Sequence, residues 1–205
     1  MTLKVVTPLL IALHVVAGAC SVASRNQSGD PGMITDKSGN KYKTMRMADD
    51  KYWTTENVKL DIPGSYCYDD LPSNCNRYGR LYTWKTATQV CSQLGESWRL
   101  PTNEEWKMLA KPYGGVWDDS NDNGNAAYKS LIVGGSSQFN VLLSGGKDTD
   151  GKYRRLEAHG FYWTSTETSD STAWLYNFGS GMKGLNHHND TEKTWAFSVR
   201  CVKGK

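Results

Sequence analysis

The sequence predicts an α+β domain with two short helices in the middle of the chain and a series of strands towards its end. Three observations support this prediction. Apolar residues recur at helical spacing over residues 84–94, a helix start signal follows at Thr102, and residues 160–202 contain three segments rich in aromatic and β-branched residues. The length of 205 residues suits one domain preceded by a targeting segment.

The N-terminus has the pattern of a bacterial secretion signal. Lys4 precedes an apolar run over residues 5–16, which is shorter than the ~20 residues of a transmembrane helix, and small residues lead up to Cys20. The arrangement resembles a lipoprotein box, although Ala17 stands where leucine is usual. We predict cleavage after Ala19, lipid on Cys20 and attachment to a membrane through that lipid. Ordinary secretion with an incidental Cys20 is the alternative.

This pattern divides the chain into three segments. Residues 1–19 are predicted to be the signal peptide. Residues 20–33 are small and polar without apolar periodicity, which is typical of a flexible tether. Residues 34–205 are predicted to form a single folded domain.

The cysteine count favours disulfides. If Cys20 carries lipid, four of the five cysteines remain, an even number that suits an oxidising compartment. Four cysteines allow three pairings. Cys67 and Cys75 flank a short turn-forming segment, which predicts that these two pair and leaves Cys91 with Cys201.

The first half of the domain begins with strands and continues into a helix. Residues 36–47 place a Ser-Gly-Asn turn before an alternating stretch, which predicts a hairpin, and Trp53 and Val58 are expected in the core. The periodicity of residues 84–94 predicts an amphipathic helix of about three turns that ends at Gly95 and carries Cys91 on its buried side.

The second helix has a sharply defined start. Leu100 precedes Pro101 and is therefore expected to be extended. Thr102 with Glu105 three residues later forms the pattern of a capping box. The helix is expected to end before Pro112.

The remaining segments alternate loops and strands. Residues 118–125 form a loop rich in carboxylates and amides, and residues 142–156 predict two strands around a turn at Asp150-Gly151. Three late strands are predicted within residues 160–167, 172–181 and 194–202.

Charge and composition exclude some partners. The formal net charge is only +3 and no run of Lys and Arg stands out, so nucleic acid is not an expected partner. The 8 Trp and 11 Tyr residues fit a packed β-rich core or an exposed stacking surface.

One loop partly matches a calcium-binding motif. Asp119, Asn121 and Asn123 have the spacing of the first ligands of a calcium loop, but the twelfth place is Ser130 rather than Glu. A solvated Asn/Asp turn is therefore favoured, and calcium is the one cofactor that the sequence leaves open.

The C-terminal third combines aromatic residues with short polar ones, a composition that suits recognition of sugars or proteins. Residues 186–190 are five consecutive polar residues, which are costly to bury and therefore predict an exposed loop. A competing interpretation places Trp174, Tyr176 and Phe178 on one strand face in the core. The predicted ligand-binding residues are Trp174, Tyr176, Asn186, His187, His188, Asn189 and Asp190.

The histidines do not indicate a catalytic centre. His187 and His188 are adjacent, and adjacent residues on a strand point to opposite faces, so they form a poor chelating pair outside a loop. His159 precedes Gly160 and is interpreted as a loop residue with satisfied hydrogen bonds.

Six stretches in order resemble the landmarks of the Fibrobacter succinogenes major paralogous domain, and together they cover nearly the whole predicted domain. The sequence departs from the family pattern in two places. It has Trp53-Thr54-Thr55 where Trp-Met-Ala is usual, and its link between the two helices is longer. The stretches are "DKSGNKYKTMRM", "YWTTENVKL", "YGRLYTWKTA", "WRLPTNEEW", "GFYWTSTE" and "FSVRCV".

The resemblance implies a C-type-lectin-like, formylglycine-generating-enzyme-like fold, in which two helices pack on an irregular, mostly antiparallel sheet with long loops. Such domains are typical of secreted and lipid-anchored surface proteins of Bacteroidota, which implies a place in the cell envelope at the outer membrane. The related enzymes bind copper through a cysteine pair. Here Cys91 and Cys201 are assigned to a disulfide and no nucleophile–base pair is evident, so we predict no enzymatic activity.

The functional prediction is a non-catalytic, cell-surface binding module for an extracellular glycan or protein. The alternatives are a structural or accessory subunit of a surface assembly, and a ligand-binding variable protein of a diversity-generating retroelement. A glycan binder should have an exposed aromatic platform near residues 186–190. A structural subunit should have an apolar patch or an open strand edge.

Overall fold

The structure is a computed structural model that describes residues 1–2 and 32–204. The described chain contains four α-helices: α1 Pro72–Tyr78, α2 Trp84–Val90, α3 Asn103–Ala110 and α4 Asn125–Leu131. Its strands are β1 Gly32–Thr35, β2 Lys41–Arg46, β3 Tyr52–Thr54, β4 Ser65–Tyr66, β5 Leu81–Thr83, β6 Ser144–Lys147, β7 Tyr153–Leu156, β8 His159–Glu167, β9 Thr172–Gly179, β10 Gly184–Glu192, β11 Ala196–Phe197 and β12 Val202–Lys203.

The strands form two sheets. The smaller sheet has the order β1-β2-β3-β12, so the last strand, β12, pairs with β3. The larger sheet has the order β10-β9-β8-β6-β11-β5-β4, and β7 pairs with β6 beside this path. Pairing between these strands is antiparallel except between β6 and β8. The predicted α+β class with a mostly antiparallel sheet is confirmed, while the more specific C-type-lectin-like assignment stays a prediction.

The first predicted helix is confirmed as α2. It continues into a 3₁₀ turn over Cys91–Leu94 and ends at Gly95, whose φ of 135° suits glycine. Ala87, Val90 and Cys91 are fully buried on its inner side.

The predicted start of the second helix is also confirmed. The Thr102 hydroxyl accepts a hydrogen bond from Glu105 N at 3.2 Å, and the Glu105 carboxylate accepts one from Thr102 N at 2.9 Å. Arg99 donates to both carboxylate oxygens. Burial acts to raise the pKa of Glu105, but these donors outweigh it and hold the pKa at about 2.

The prediction of only two helices was wrong. Helix α1 lies in the segment interpreted as a turn between Cys67 and Cys75, and it begins with Pro72 at its first position. Helix α4 begins in the Asn/Asp loop after Gly124, where the Asp122 carboxylate accepts from the N–H groups of Asn125 and Ala126. Both helices have seven residues, too short for a clear periodic signal.

Both predicted disulfides are present. Cys67 is bonded to Cys75, and Cys91 is bonded to Cys201. Cys91 and Cys201 are fully buried and lie 110 residues apart, so their bond joins the 3₁₀ turn after helix α2 to the segment just before β12. In the chain-entropy model a loop of this length corresponds to about 4–5 kcal/mol of stability.

The late strands differ from the prediction in two ways. The segment 194–202 forms two short strands, β11 and β12, rather than one. Between them lies Arg200, whose buried guanidinium donates to Asn57 Oδ1 and to backbone carbonyls. Strand β10 was not predicted, because its polar residues were interpreted as a loop.

The folded domain begins slightly earlier than predicted. Strand β1 begins at Gly32 and so includes the last two residues of the predicted tether. The signal peptide prediction and Cys20 lie outside the described residues, apart from residues 1–2. None of the described helices combines the length and the apolar character that crossing a bilayer requires.

Candidate functional site

Strands β8, β9 and β10 form the end of the larger sheet and carry most of the predicted ligand-binding residues. His187 lies opposite Tyr176 in the neighbouring strand, and Asn186 lies opposite Asn177. Successive side chains along a strand point to opposite faces. The two faces of this hairpin sheet therefore carry different residues and are described separately.

The inner face packs against helices α3 and α4. We define it by Trp174, Tyr176, Phe178, Leu185 and His187. Tyr176, Phe178 and Leu185 are fully buried. The Tyr176 ring stacks on Trp106 with ring centroids 5.1 Å apart, and its hydroxyl donates to the Asn103 carbonyl. Tyr176 is therefore a core residue, which corrects its assignment as a ligand-binding residue.

His187 is also occupied within the fold. Its Nε2 lies 3.0 Å from Asp118 Oδ2, its Nδ1 lies 3.4 Å from Asn103 Oδ1, and its ring centroid is 4.8 Å from that of Trp174. Only 6% of its side chain is exposed. Burial acts to raise the pKa of Asp118, but the His187 hydrogen bond and charge lower it overall. His187 thus ties β10 to the segment before α4.

The expectation that residues 186–190 form an exposed loop was wrong. They lie in β10, where Asn186, His187 and His188 pair with β9. A run of polar residues fits an edge strand because one face stays partly open to solvent. The strand becomes irregular between His188 and Thr191, and Asn189 and Asp190 are exposed there.

The open face of the hairpin sheet contains a groove. Two depressions of about 320 Å³ and 280 Å³ meet at Asn177. We call their union the Asn177 groove. Among the residues that line it are Arg155, His159, Phe161, Leu175, Asn177, Met182, Asn186, His188, Asp190 and Trp195.

A polar array crosses the middle of the groove. The Asn177 side-chain oxygen lies 2.9 Å from His159 Nδ1, and its Nδ2 lies 3.4 Å from His188 Nε2. In this arrangement His159 donates through Nδ1 and His188 accepts through Nε2. The other ring nitrogen of each histidine has no hydrogen-bond partner within residues 32–204. His159 Nε2 is therefore an acceptor, and His188 Nδ1 a donor, that the described chain leaves without a hydrogen-bond partner.

The charge state of His188 follows from its surroundings. Burial disfavours the charged form and lowers its pKa. Positive charge on Arg155, His187 and His159 acts in the same direction, whereas Asp190 opposes the shift. The neutral ring that the Asn177 hydrogen bond requires is thus favoured near pH 7.

Aromatic rings form the floor of one half of the groove. Phe161 stacks with the His159 ring at 5.3 Å and an interplanar angle of 6°, and it contacts Phe197 at 4.9 Å. Trp195 lies 5.7 Å from Phe197 and is only partly buried. An apolar floor beside free polar groups is the usual composition of a small-ligand or sugar site.

The seven predicted ligand-binding residues lie in different parts of the hairpin sheet. Asn186, His188 and Asp190 line the Asn177 groove, whereas Trp174, Tyr176 and His187 belong to the inner face. Asn189 is exposed at the strand irregularity, where its carbonyl accepts a hydrogen bond from Thr168. The sequence-predicted residues therefore lie on one hairpin but are divided between its two faces.

Several groove residues were missed. Asn177 was not predicted, because the aromatic residues on either side of it have the stronger sequence signal. A strict period of two along β9 would have placed Asn177 on the face opposite Tyr176. His159 was interpreted as a loop residue, but it begins β8. Nothing in the sequence around Phe161 and Trp195 distinguishes a residue on the floor of a groove from a core residue.

The loop that partly matches a calcium-binding motif makes structural contacts. Asp119 pairs with Lys107 at 3.4 Å, and Asn123 has a positive φ of 58°. Asn121 is exposed in the same turn. The neighbouring Ser120 and Asp122 accept hydrogen bonds from N–H groups that lead into α4. No group of three or more His, Cys, Asp or Glu side chains in the described chain has an arrangement that could hold a metal ion.

Comparison with known proteins identifies the family. No curated protein matches the sequence. The family model of the Fibrobacter succinogenes major domain matches residues 35–203, which include the larger sheet, the smaller sheet from β2 onwards and the Asn177 groove. Because the match spans most of the chain, this protein belongs to the Fibrobacter succinogenes major domain family.

Proposed function

We propose that this protein is a non-catalytic binding module, held at the cell surface by lipid on Cys20, and that it binds an extracellular glycan or protein in the Asn177 groove. The observation that carries the proposal is the polar array of His159, Asn177 and His188. It presents a free donor and a free acceptor beside an aromatic floor, and the fold itself does not use them.

The chemistry of the groove favours binding over turnover. A catalytic histidine usually contacts a nucleophile or an orienting carboxylate. Here both histidines are hydrogen bonded to the Asn177 amide, which is neither. All four cysteines of the described chain are in disulfides, so they offer no thiolate. The groups of the groove can hold a ligand through hydrogen bonds and ring contacts.

The ligand class follows from the same groups. The two depressions share Asn177, and a ligand that spans both would need hydroxyl or amide groups near the centre and an apolar face above Phe161 and Trp195. A neutral oligosaccharide has this character, and so does an extended peptide segment. Each well-formed neutral hydrogen bond would contribute about 0.5–1.5 kcal/mol.

The first test is binding by the mature full-length protein on a glycan array, followed by titration calorimetry. We expect Asn177→Ala and His188→Ala each to weaken binding at least tenfold. Asn189→Ala is the matched control, because this residue is exposed on the same strand but does not line the groove. Unchanged affinity of both groove variants would show that the ligand binds elsewhere.

The membrane anchor is tested separately. Mass spectrometry of the native protein should find a lipid-modified N-terminal Cys20, and Cys20→Ser should release the protein from the membrane fraction. An unmodified mature N-terminus would contradict the lipid anchor and leave the groove proposal intact.

A structural or accessory role is favoured by one feature. Strand β1 forms the edge of the smaller sheet, and Met33 on it is 60% exposed. Such an edge can accept a strand from a partner. Replacing Met33 with Lys should abolish assembly if this role is correct, and it should leave ligand binding in the groove unchanged.

A further inference from the structure

A second pocket lies on a different part of the molecule, between the β2–β3 region and helix α1. It has a volume of about 240 Å³. No residue that lines it also lines the Asn177 groove. Its polar lining includes Lys43, Glu56, Asn57, Lys59, Asn76 and Asn140.

A buried positive charge lies directly behind this pocket. Arg200 is fully buried, and its guanidinium donates to Asn57 Oδ1 at 2.7 Å and to the Asn140 carbonyl at 2.7 Å. Its two further acceptors are the carbonyls of Thr54 and Phe139. All four acceptors are neutral. The charge of Arg200 is therefore not cancelled by a contacting carboxylate, and two of its partners form part of the pocket wall.

The pocket also contains lysines without ion pairs. Within residues 32–204, neither Lys43 nor Lys59 forms an ion pair with a carboxylate, and the Lys59 amine lies 6.0 Å from the Tyr42 ring. Arg77 lines the pocket as well but is paired with Glu157. Apart from the ion pair of Arg77 with Glu157, the charged groups at the pocket are Lys43, Lys59, Arg200 and Glu56. They comprise three positive charges and one negative charge. Walls of low polarizability concentrate the field of such charges in the cavity.

We propose that this pocket binds an oxyanion, either a free sulfate or phosphate ion or the carboxylate or sulfate group of an acidic sugar. Lys43 and Lys59 would donate charge-assisted hydrogen bonds to it, and Arg200 would contribute through its field. Asn76 is exposed at the rim and has no side-chain hydrogen bond within the described chain, so it supplies a further donor.

Titration calorimetry on the mature full-length protein tests this proposal. The probes are sodium sulfate, sodium phosphate, sodium glucuronate and, as neutral control, glucose, all at constant ionic strength set with sodium chloride. We expect saturable binding of at least one anion and none of glucose. Binding of glucuronate alone would indicate an acidic sugar, and binding of sulfate or phosphate alone would indicate a small ion. Absence of saturable binding of all three anions would overturn the proposal.

Two sets of variants separate a specific site from general charge effects. Lys43→Gln combined with Lys59→Gln should weaken anion binding at least tenfold. Lys37→Gln combined with Lys85→Gln removes the same charge from exposed positions outside the pocket and should change it less than twofold. Equal weakening by both pairs would overturn the proposal.

A third variant should act in the opposite direction. Glu56→Gln removes the one carboxylate that opposes the anion while keeping a side-chain oxygen that can accept from Lys43 N. We expect anion binding to become threefold to tenfold tighter. A purely structural role of Glu56 would not tighten binding, so unchanged or weaker affinity contradicts the site.

Discussion

The two faces of the β8–β9–β10 hairpin sheet have similar residues, but their polar groups are hydrogen bonded to different extents. Each face has a histidine that contacts an asparagine, and each face has aromatic rings. On the inner face, His187 contacts Asp118 and Asn103 and lies against Trp174. On the open face, the His188 ring is hydrogen bonded to the Asn177 amide and keeps one ring nitrogen without a hydrogen-bond partner within the described chain.

The proposed binding face and the packed inner face therefore cannot be told apart by composition alone. What distinguishes them is how many polar groups already have partners in the fold. A histidine whose two nitrogens are both used stabilises the structure, whereas one with a free nitrogen is able to contact a ligand. The comparison can be tested by changing neighbouring residues that point to opposite faces.

The largest difference is expected between Tyr176 and Asn177. Tyr176→Ala removes a fully buried ring stacked on Trp106 and should lower the free energy of unfolding by about 3–5 kcal/mol. Asn177→Ala should cost about 1 kcal/mol or less, because its partners are two half-exposed histidines. Urea unfolding followed by tryptophan fluorescence measures both.

A conservative variant sharpens this result. Tyr176→Phe keeps the ring and removes only the hydroxyl that donates to the Asn103 carbonyl, so it should cost about 1 kcal/mol. If Asn177→Ala destabilised the domain as strongly as Tyr176→Ala, the open face would be structural and the groove proposal would fail.

A smaller difference is expected between the adjacent histidines. His187→Ala removes the contact with Asp118 and the packing on Trp174, and should lower the free energy of unfolding by about 1–3 kcal/mol. His188→Ala should stay within about 0.5–1 kcal/mol of wild type and weaken ligand binding. The reverse order of the two stability changes would contradict the assignment of faces.

Much of the fold was predictable from sequence because the signals are local. Thr102 and Glu105 define a helix start within four residues, and Gly95 defines a helix end. The disulfide pairing followed from the count of cysteines and from the short segment between Cys67 and Cys75. Helix α4 was missed because Asp122, which accepts hydrogen bonds from the first N–H groups of the helix, lies in a loop whose polar residues indicated a turn.

The candidate site was only partly predictable because it depends on contacts between distant segments. His159 and Asn177 are 18 residues apart, and the Tyr176 hydroxyl reaches a residue 73 positions away. Polarity suggested that residues 186–190 were outside the core, but pairing with β9 decided which of them face solvent. Neither the register nor the strand irregularity after His188 has a signal in the local sequence.

The smallest expected effect is a difference in pH dependence between the two faces. On the open face, the pKa of His188 lies below its ordinary value of 6.5, mainly because of burial. As the pH falls through 6.5, the unfolded chain takes up a proton at His188 that the folded chain resists, so the free energy of unfolding decreases. On the inner face, the pKa of Asp118 is lowered from 3.8, so the stability that its ionised form contributes is present above pH 3.8 and is lost below it.

The two contributions therefore appear in different pH ranges and can be removed one at a time. His188→Gln should flatten the pH dependence of unfolding between pH 7 and pH 5 and leave the acid range unchanged, whereas Asp118→Asn should act only in the acid range. Urea unfolding at a series of pH values measures both. Protonation of His188 also removes the acceptor for Asn177 Nδ2, so ligand binding by the wild type should weaken over the same range as the open-face stability. An unchanged slope between pH 7 and pH 5 in His188→Gln would show that this histidine does not titrate as the groove geometry requires.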